Sequence, residues 1–261
     1  SMHAEFVIRA ARAGKHVICE KPMATTLDDC HKMIRACKEA GVKFSLGYRL
    51  HFDPFNQEMM RLGQNQVLGS VDRVIAKHCM DVGDPGQWRL KRDLAGGGPL
   101  MDLGIYCIQG ALYTIGELPI AVTAIFQNKS NPEKFRDVEE GIEWQMEFPL
   151  GVTASCETSY STNVNLLHAD AVSGWFELQP AYVYSGLKGQ TSDGPMNLQA
   201  VNQQAEQMDD FALCIQNDSP TRVPPEMGLR DMQIILAVYE AACTGRKVRL
   251  HLDEFQNLIE I

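Results

Sequence analysis

The first 46 residues run twice through one pattern: an amphipathic helix, a stopping glycine, and a short apolar strand. Phe6, Val7, Ala10 and Ala11 recur at helical spacing, and Gly14 follows where a left-handed residue ends such a helix. His16–Cys19 then reads as a strand. After the turn Glu20-Lys21-Pro22, Thr26 is placed to cap a second helix with Leu27, Cys30, Met33, Ile34 and Cys37 on its apolar face. Gly41 stops it, and Val42–Leu46 reads as a second strand. Helix and strand alternating over such short connections belong to a parallel α/β sheet. Two strands do not make a stable doubly wound domain, so the expectation is that further strands precede Ser1 and that the chain is a fragment.

Beyond Gly47 the pattern changes. Pro54–Leu62 reads as a short linking helix, and strands then dominate. Val71–Met80 is one. Ile142, Trp144, Met146 and Phe148 alternate with Glu143, Gln145 and Glu147, the mark of a half-buried strand. Phe148-Pro149-Leu150-Gly151-Val152 supplies a hairpin turn into a partner on which Val152, Ala154, Cys156, Thr158 and Tyr160 face one way. Further strands are expected near Ile120–Gln127, Leu166–Val172, Trp175–Leu178 and Tyr182–Tyr184, with late helices at about Asn202–Gln216 and Gly228–Thr244. Polar-out alternation suits an antiparallel sheet covered on one face. One helix interrupts the strands: Gly96-Gly97-Gly98 lead into Pro99, and Gly116 ends the helix near Ile115. Gly104 and Gly110 inside it signal close approach of a ligand or another backbone. The expected fold is α/β plus α+β. Residues 1–50 form the second half of a dinucleotide-binding (Rossmann-type) domain, and 51–261 form a large, mainly antiparallel open-sheet domain with helices on one face.

Composition narrows the function classes. The net charge is −9, without a cluster of lysines or arginines, which argues against nucleic-acid or membrane-surface binding. No apolar stretch approaches the length of a membrane span. The eight cysteines form no C-x-x-C pair, so they read as buried free thiols of a reducing, cytoplasmic compartment, with periplasmic export left open by the expected missing N-terminus. The histidines show no metal-ligand spacing, and no metal site is expected.

The chemistry-bearing candidates gather at a few places. Asp102 and Tyr106 stand four apart on the 99–115 helix and share a face near its positive end. A carboxylate and a phenol there suit a polyol, although a capping aspartate and a half-buried core tyrosine are the commoner meaning of that spacing alone. Lys21 follows a strand, and ligands of open α/β sheets bind beyond the carboxyl ends of strands. Tyr48 and Arg49 end the next strand and point at the same crevice. Trp88 and Arg89 precede the triple glycine, where the tryptophan can wall an aromatic ring. The plain alternatives are a solvated lysine paired with Glu20, a surface arginine and a buried loop tryptophan.

Ala13-Gly14-Lys15-His16-Val17-Ile18-Cys19-Glu20-Lys21-Pro22 resembles the hallmark of the glucose–fructose oxidoreductase / inositol dehydrogenase (Gfo/Idh/MocA) family. Ala95-Gly96-Gly97-Gly98-Pro99-Leu100-Met101-Asp102-Leu103-Gly104-Ile105-Tyr106 is similar to its second signature, and Gly228-Leu229-Arg230-Asp231 with Tyr239-Glu240-Ala241-Ala242 to its last helix. Tyr106, where many members carry histidine, resembles the glucose–fructose oxidoreductase and dihydrodiol dehydrogenase branch. The resemblance implies a hydride transfer between NADP or NAD and a sugar, polyol or diol. It implies Tyr106 as proton donor or acceptor, Lys21 as the group that tunes it, and Asp102 as holder of an adjacent hydroxyl. Glu20, Lys21, Pro22, Arg49 and Trp88 would meet the cofactor, and Tyr48, Arg89 and Tyr160 the substrate. A tyrosine at its free pKa of about 10 is a poor base at neutral pH, so it needs a nearby cation. No Gly-x-Gly-x-x-Gly follows a strand in this sequence, so the fragment itself is expected to lack the pyrophosphate cradle, to hold the cofactor poorly and to be inactive. A homodimer or homotetramer through the sheet is expected. Two alternatives stay open: a non-catalytic oligomerisation and sugar-binding module, and a glycosidase that works through transient oxidation.

Overall fold

The computed structural model describes residues 1–258. Helix α1 (His3–Arg12) leads to strand β1 (Val17–Cys19), and α2 (Leu27–Glu39) to β2 (Phe44–Leu46). β1 and β2 pair in parallel, Val17 opposite Phe44 and Cys19 opposite Leu46. The local signals act as their chemistry dictates. Gly14 and Gly41 take φ of +68° and +64° behind the two helices, and the Thr26 hydroxyl accepts from Asp29 N at 3.2 Å. One expectation is corrected: Phe6 is 53% exposed, so the buried stripe of α1 narrows to Val7 and Ala11, and in β1 Ile18 is 36% exposed.

The larger sheet has nine strands in the order β10-β9-β8-β7-β3-β6-β5-β4-β11. They are β3 (Val71–Cys79), β4 (Ala121–Phe126), β5 (Gly141–Glu147), β6 (Thr153–Ser159), β7 (Val164–Ala171), β8 (Gly174–Leu178), β9 (Gly189–Thr191), β10 (Gly194–Pro195) and β11 (Val248–Arg249). Only the β3–β6 pair is parallel. Ile142, Trp144, Met146 and Phe148 are buried on one face with Ala154, Cys156, Thr158 and Tyr160. The opposite face carries ion pairs, Arg73 with Asp170 and Lys77 with Glu157. Helices α3 (Pro54–Gln64), α5 (Ile105–Ile115) and α7 (Pro225–Thr244) cover the apolar face, while α7 also reaches α2 and β2, joining the two sheets through one core. α4 (Arg92–Ala95) is one turn, and α6 (Gln203–Gln216) lies against the turn that follows β2. Tyr182–Tyr184 is not a strand: it is irregular chain behind a cis Gln179–Pro180 bond, held where the Asn165 side chain accepts from Ala181 N and Tyr182 N. β9, β10 and β11 span two or three residues, too few to display an alternation.

The helix expected over 99–115 divides in two. Leu100–Gly104 is a π-helical turn, and only from Ile105 does α5 become α-helical. Such wide turns concentrate at functional sites because they re-aim side chains within a helix. Buried Glu139 closes the start of this turn, accepting from Gly98 N (3.0 Å), Leu100 N (3.1 Å) and the Tyr239 hydroxyl (2.8 Å). A side chain on Gly98 would collide with Glu139, its Cβ 2.5 Å from the Glu139 carbonyl oxygen.

α3 and α5 cross at Gly63, where a methyl group would lie 1.9 Å from the carbonyl oxygen of Thr114. Gly63→Ala improves helix propensity by about 1 kcal/mol, yet the collision forces two backbones apart. We expect a net loss of about 1–3 kcal/mol, seen as a lower denaturation midpoint at unchanged m.

Candidate active site

Lys21 stands where the chain leaves β1, beside a cis Lys21–Pro22 peptide bond. Its Nζ donates to the Asp102 carbonyl oxygen at 2.6 Å and to Asp102 Oδ1 at 3.0 Å. Arg89 Nε donates to Asp102 Oδ2 at 2.8 Å, and the Tyr160 hydroxyl to the same oxygen at 3.1 Å. Residues far apart in sequence thus converge on one carboxylate in the π-helical turn. Burial works against its charge, but Lys21 and Arg89 outweigh burial and hold the carboxyl below its ordinary range. Three of the roughly four acceptor positions of a carboxylate are taken by protein donors. Asp102 therefore anchors cations first, and is less free to hold a hydroxyl than the sequence led us to expect.

One turn on, Tyr106 is half-buried with two cations over its ring. Lys21 Nζ lies 4.6 Å from the ring centroid and Arg49 Cζ 5.3 Å. Lys21 is thus not the sole cation near it. His78 meets the Tyr106 ring edge-on at 5.2 Å and the Tyr182 ring at 5.0 Å. Arg49 is 5% exposed and fixed by donation to the carbonyls of Tyr182 (2.6 Å) and Val183 (3.1 Å) and to Gln203 Oε1. Tyr184 stacks 3.9 Å from its guanidinium carbon.

Two cavities meet at this cluster. One, of about 320 Å³, is walled by Glu20, Lys21, Pro22, Trp88, Arg89 and Gly97. The other, of about 510 Å³, is walled by Tyr106, Arg49, His78, Asn165, Tyr182 and Met80. Lys21, Arg89, Asp102 and Tyr184 belong to both. Trp88 is half-exposed at the rim, with Arg89 over its ring at 4.7 Å.

The structure thus brings Lys21, Asp102, Tyr106, Glu20, Pro22, Arg49, Trp88 and Arg89 together, with one correction among the expected substrate contacts. Tyr48 is 5% exposed, lines neither cavity, and donates its hydroxyl to the buried Asp231 instead. The residue after a strand end can turn inward as readily as outward, and here a 3₁₀ turn (Arg49–Phe52) takes Arg49 to the site and leaves Tyr48 in the core. Tyr160, the other expected contact, is packed among Leu90, Leu103, Phe135 and Val138, yet it also lines the smaller cavity beside Asp102, to which its hydroxyl donates. Sequence reasoning missed His78, Tyr182 and Glu139. For His78 a signal existed: it continues the inward phase of Val74 and Ala76 on β3, a polar residue in an apolar series.

The family model described as "Oxidoreductase family, NAD-binding Rossmann fold" matches residues 1–48, and the GFO/IDH/MocA C-terminal domain matches residues 56–177. The aldose–aldose oxidoreductase of Caulobacter crescentus, solved with glycerol, superposes with a TM-score of 0.92 at 44% identity over 96% of this chain and 76% of that one. The D-xylose 1-dehydrogenase [NADP(+)] of Haloarcula marismortui is 29% identical over 96% of this chain and 72% of its own length. The D-glucoside 3-dehydrogenase of Escherichia coli is 27% identical over 95% of this chain and 76% of its own length. The chain is therefore an oxidoreductase of the NAD(P)-dependent class, and it belongs to the GFO/IDH/MocA family.

Half-buried histidines make the fold sensitive to acid. Burial, with the Lys21 charge second, lowers His78 from 6.5 to about 4, and burial lowers His51 to about 4. A group lowered on folding stabilises fully above its unfolded value and loses that contribution as pH falls toward the folded one. Stability should therefore decline between pH 6.5 and 4, by up to about 3 kcal/mol per histidine. Denaturation midpoints across that window check this, and His78→Asn should flatten part of the slope.

Proposed function

We propose that this chain carries the catalytic site of a sugar oxidoreductase, with the cofactor's nicotinamide end in the Glu20–Trp88 cavity and a sugar in the Tyr106 cavity. The observation that carries the reading is the sharing of Lys21 and Asp102 by both cavities, because hydride transfer needs the two reactants against each other across one set of charges. The smaller cavity suits a flat ring: Trp88 and Pro22 are apolar walls, and Glu20 and Lys21 offer polar edges. NAD(P) bound there supplies or accepts the hydride.

The chain's own residues perform the rest. Tyr106 donates or accepts the proton at the reacting oxygen. Lys21 and Arg49 place positive charge around it, where negative charge develops. Asp102 fixes Lys21 and Arg89 and leaves one acceptor position toward the cavity. His78, Tyr182 and Asn165 line the sugar's side. The sugar-acting names of the relatives, xylose and glucoside dehydrogenases, support the substrate class. Residues 1–50 form the dinucleotide-binding part and 51–258 the sheet part, and both contribute walls to each cavity. A second copy of the chain on the open sheet face, where Ile125 of β4 is exposed, and a reducing cytoplasmic setting for the free thiols complete the reading. No helix of the described residues is long and apolar enough to cross a membrane.

In the enzyme, Tyr106→Phe should lower kcat about 10²–10⁴-fold with little change in KM. An unchanged kcat on every aldose tested would overturn the assignment. For want of a Gly-x-Gly-x-x-Gly loop, the 261-residue chain itself should bind NADPH weakly in a fluorescence titration. Tight binding would refute that part alone.

A further inference from the structure

A further cavity lies away from this site. It has a volume of about 710 Å³, ample for a small metabolite, and sits between α3, α5 and the start of α7. Three arginines from different elements face it: Arg61 on α3, Arg222 in the loop before α7, and Arg230 on α7. No acidic residue lines it among the described residues, although acids outnumber bases 33 to 24 in the chain. Each arginine pairs with a carboxylate that does not line the cavity: Glu58 with Arg61, Asp210 with Arg222, and Asp231 with Arg230.

Arg230 is the telling member. Its side chain is 1% exposed. Nε donates to Asp231 Oδ1 at 3.0 Å, while Nη2 lies 2.9 Å from the same oxygen but off the hydrogen-bond direction and finds no partner among the described residues. A guanidinium has five N–H donors, and leaving buried donors unspent is costly. Asp231 also accepts from Tyr48 and Gln109 on its other oxygen, so three of its roughly four acceptor positions are taken and none of them by Nη2. Asp231 therefore cancels the charge of Arg230 without using up its hydrogen-bonding capacity.

We propose that this cavity is a second ligand site, for a phosphorylated small molecule. Guanidiniums approaching from three elements suit a tetrahedral oxyanion with several acceptor oxygens better than a planar carboxylate with two. The amides of Gln57, Gln64 and Asn65 and the ring of His51 offer partners for hydroxyl groups. Met60, Leu112 and Met227 close the apolar side. The proposal is independent of the redox reading, because none of these residues lines the cavities at Lys21.

Calorimetric titration of the chain with inorganic phosphate, glucose 6-phosphate, glucose and acetate tests it. Phosphate and glucose 6-phosphate should bind and raise Tm, acetate should not, and any binding of glucose, which belongs to the Tyr106 cavity, should be indifferent to the arginines of this one. The double variant Arg61→Ala, Arg222→Ala removes half-exposed side chains, and should weaken binding at least about tenfold while leaving the ligand-free Tm near that of the parent. Lys21→Met should leave phosphate binding unchanged. Absence of phosphate binding, binding that survives the double variant, or binding lost in Lys21→Met would each overturn the site. Acetate binding as tightly as phosphate would overturn the ligand class.

Discussion

The candidate site depends on one buried carboxylate. Asp102 takes Lys21 from the end of β1, Arg89 from the loop behind β3, and Tyr160 from the end of β6. Burying a charge costs several kcal/mol, and breaking a buried pair leaves the partner uncompensated. The arrangement is thus held by mutual need: neither cation sits comfortably there without the carboxylate, nor the carboxylate without them. The same contacts reinforce the junction that α7 makes between the β1–β2 unit and the large sheet, so positioning the chemistry also helps hold the two together. A second tie runs through Arg49, whose guanidinium is stitched to the chain at 182–183 and, through Gln203, to Asp53 at the cap of α3.

Backbone geometry decides where that carboxylate points. An ordinary α-helical start at Pro99 would end in unpaired N–H groups, and here Glu139 takes two of them while the turn widens to π-helical pitch. At that wider pitch residues four apart still share a side, so Asp102 and Tyr106 both remain at the cavity. The glycines on either side are explained by crowding. Gly97 faces Tyr239, Gly98 faces Glu139, and Gly104 packs against Trp144 and Thr158. These are close approaches of protein to protein, one of the two meanings that a glycine inside a helical pattern carries.

Much of this was legible in the chain. Helical and strand periods placed the main elements, capping residues set several ends, and the spacing of Asp102 and Tyr106 gave their shared face. The pairing of distant parts was legible only through family resemblance, since nothing in a local pattern says that Lys21 will meet Asp102. What escaped has physical reasons. Tyr48 and Arg49 are adjacent yet diverge, because a 3₁₀ turn lies beyond what strand alternation can foresee. Tyr182 lines the site from irregular chain held by Asn165, where no periodicity operates. Glu139 caps a helix that begins some forty residues earlier in the sequence, and such a non-local cap leaves no signature beside the helix.

The charge balance of the site bears on the proposed chemistry. Lys21, Arg49 and Arg89 are cations and Asp102 is the carboxylate they surround, with Glu20 at the edge. Arg49 pairs with no carboxylate within 4.0 Å among the described residues; it is held by carbonyl dipoles and by Gln203. Such partners orient a guanidinium without cancelling its charge. The cluster is thus left with a positive surplus beside the Tyr106 ring, in a cavity where the low local dielectric strengthens the effect. A site built only for stability would match that surplus with a second acid. Leaving it unmatched suits a reaction in which negative charge appears on an oxygen near Tyr106 and then leaves with the product. On that argument the unneutralised Arg49, more than the conspicuous lysine whose charge Asp102 already shares, supplies the standing field of the site.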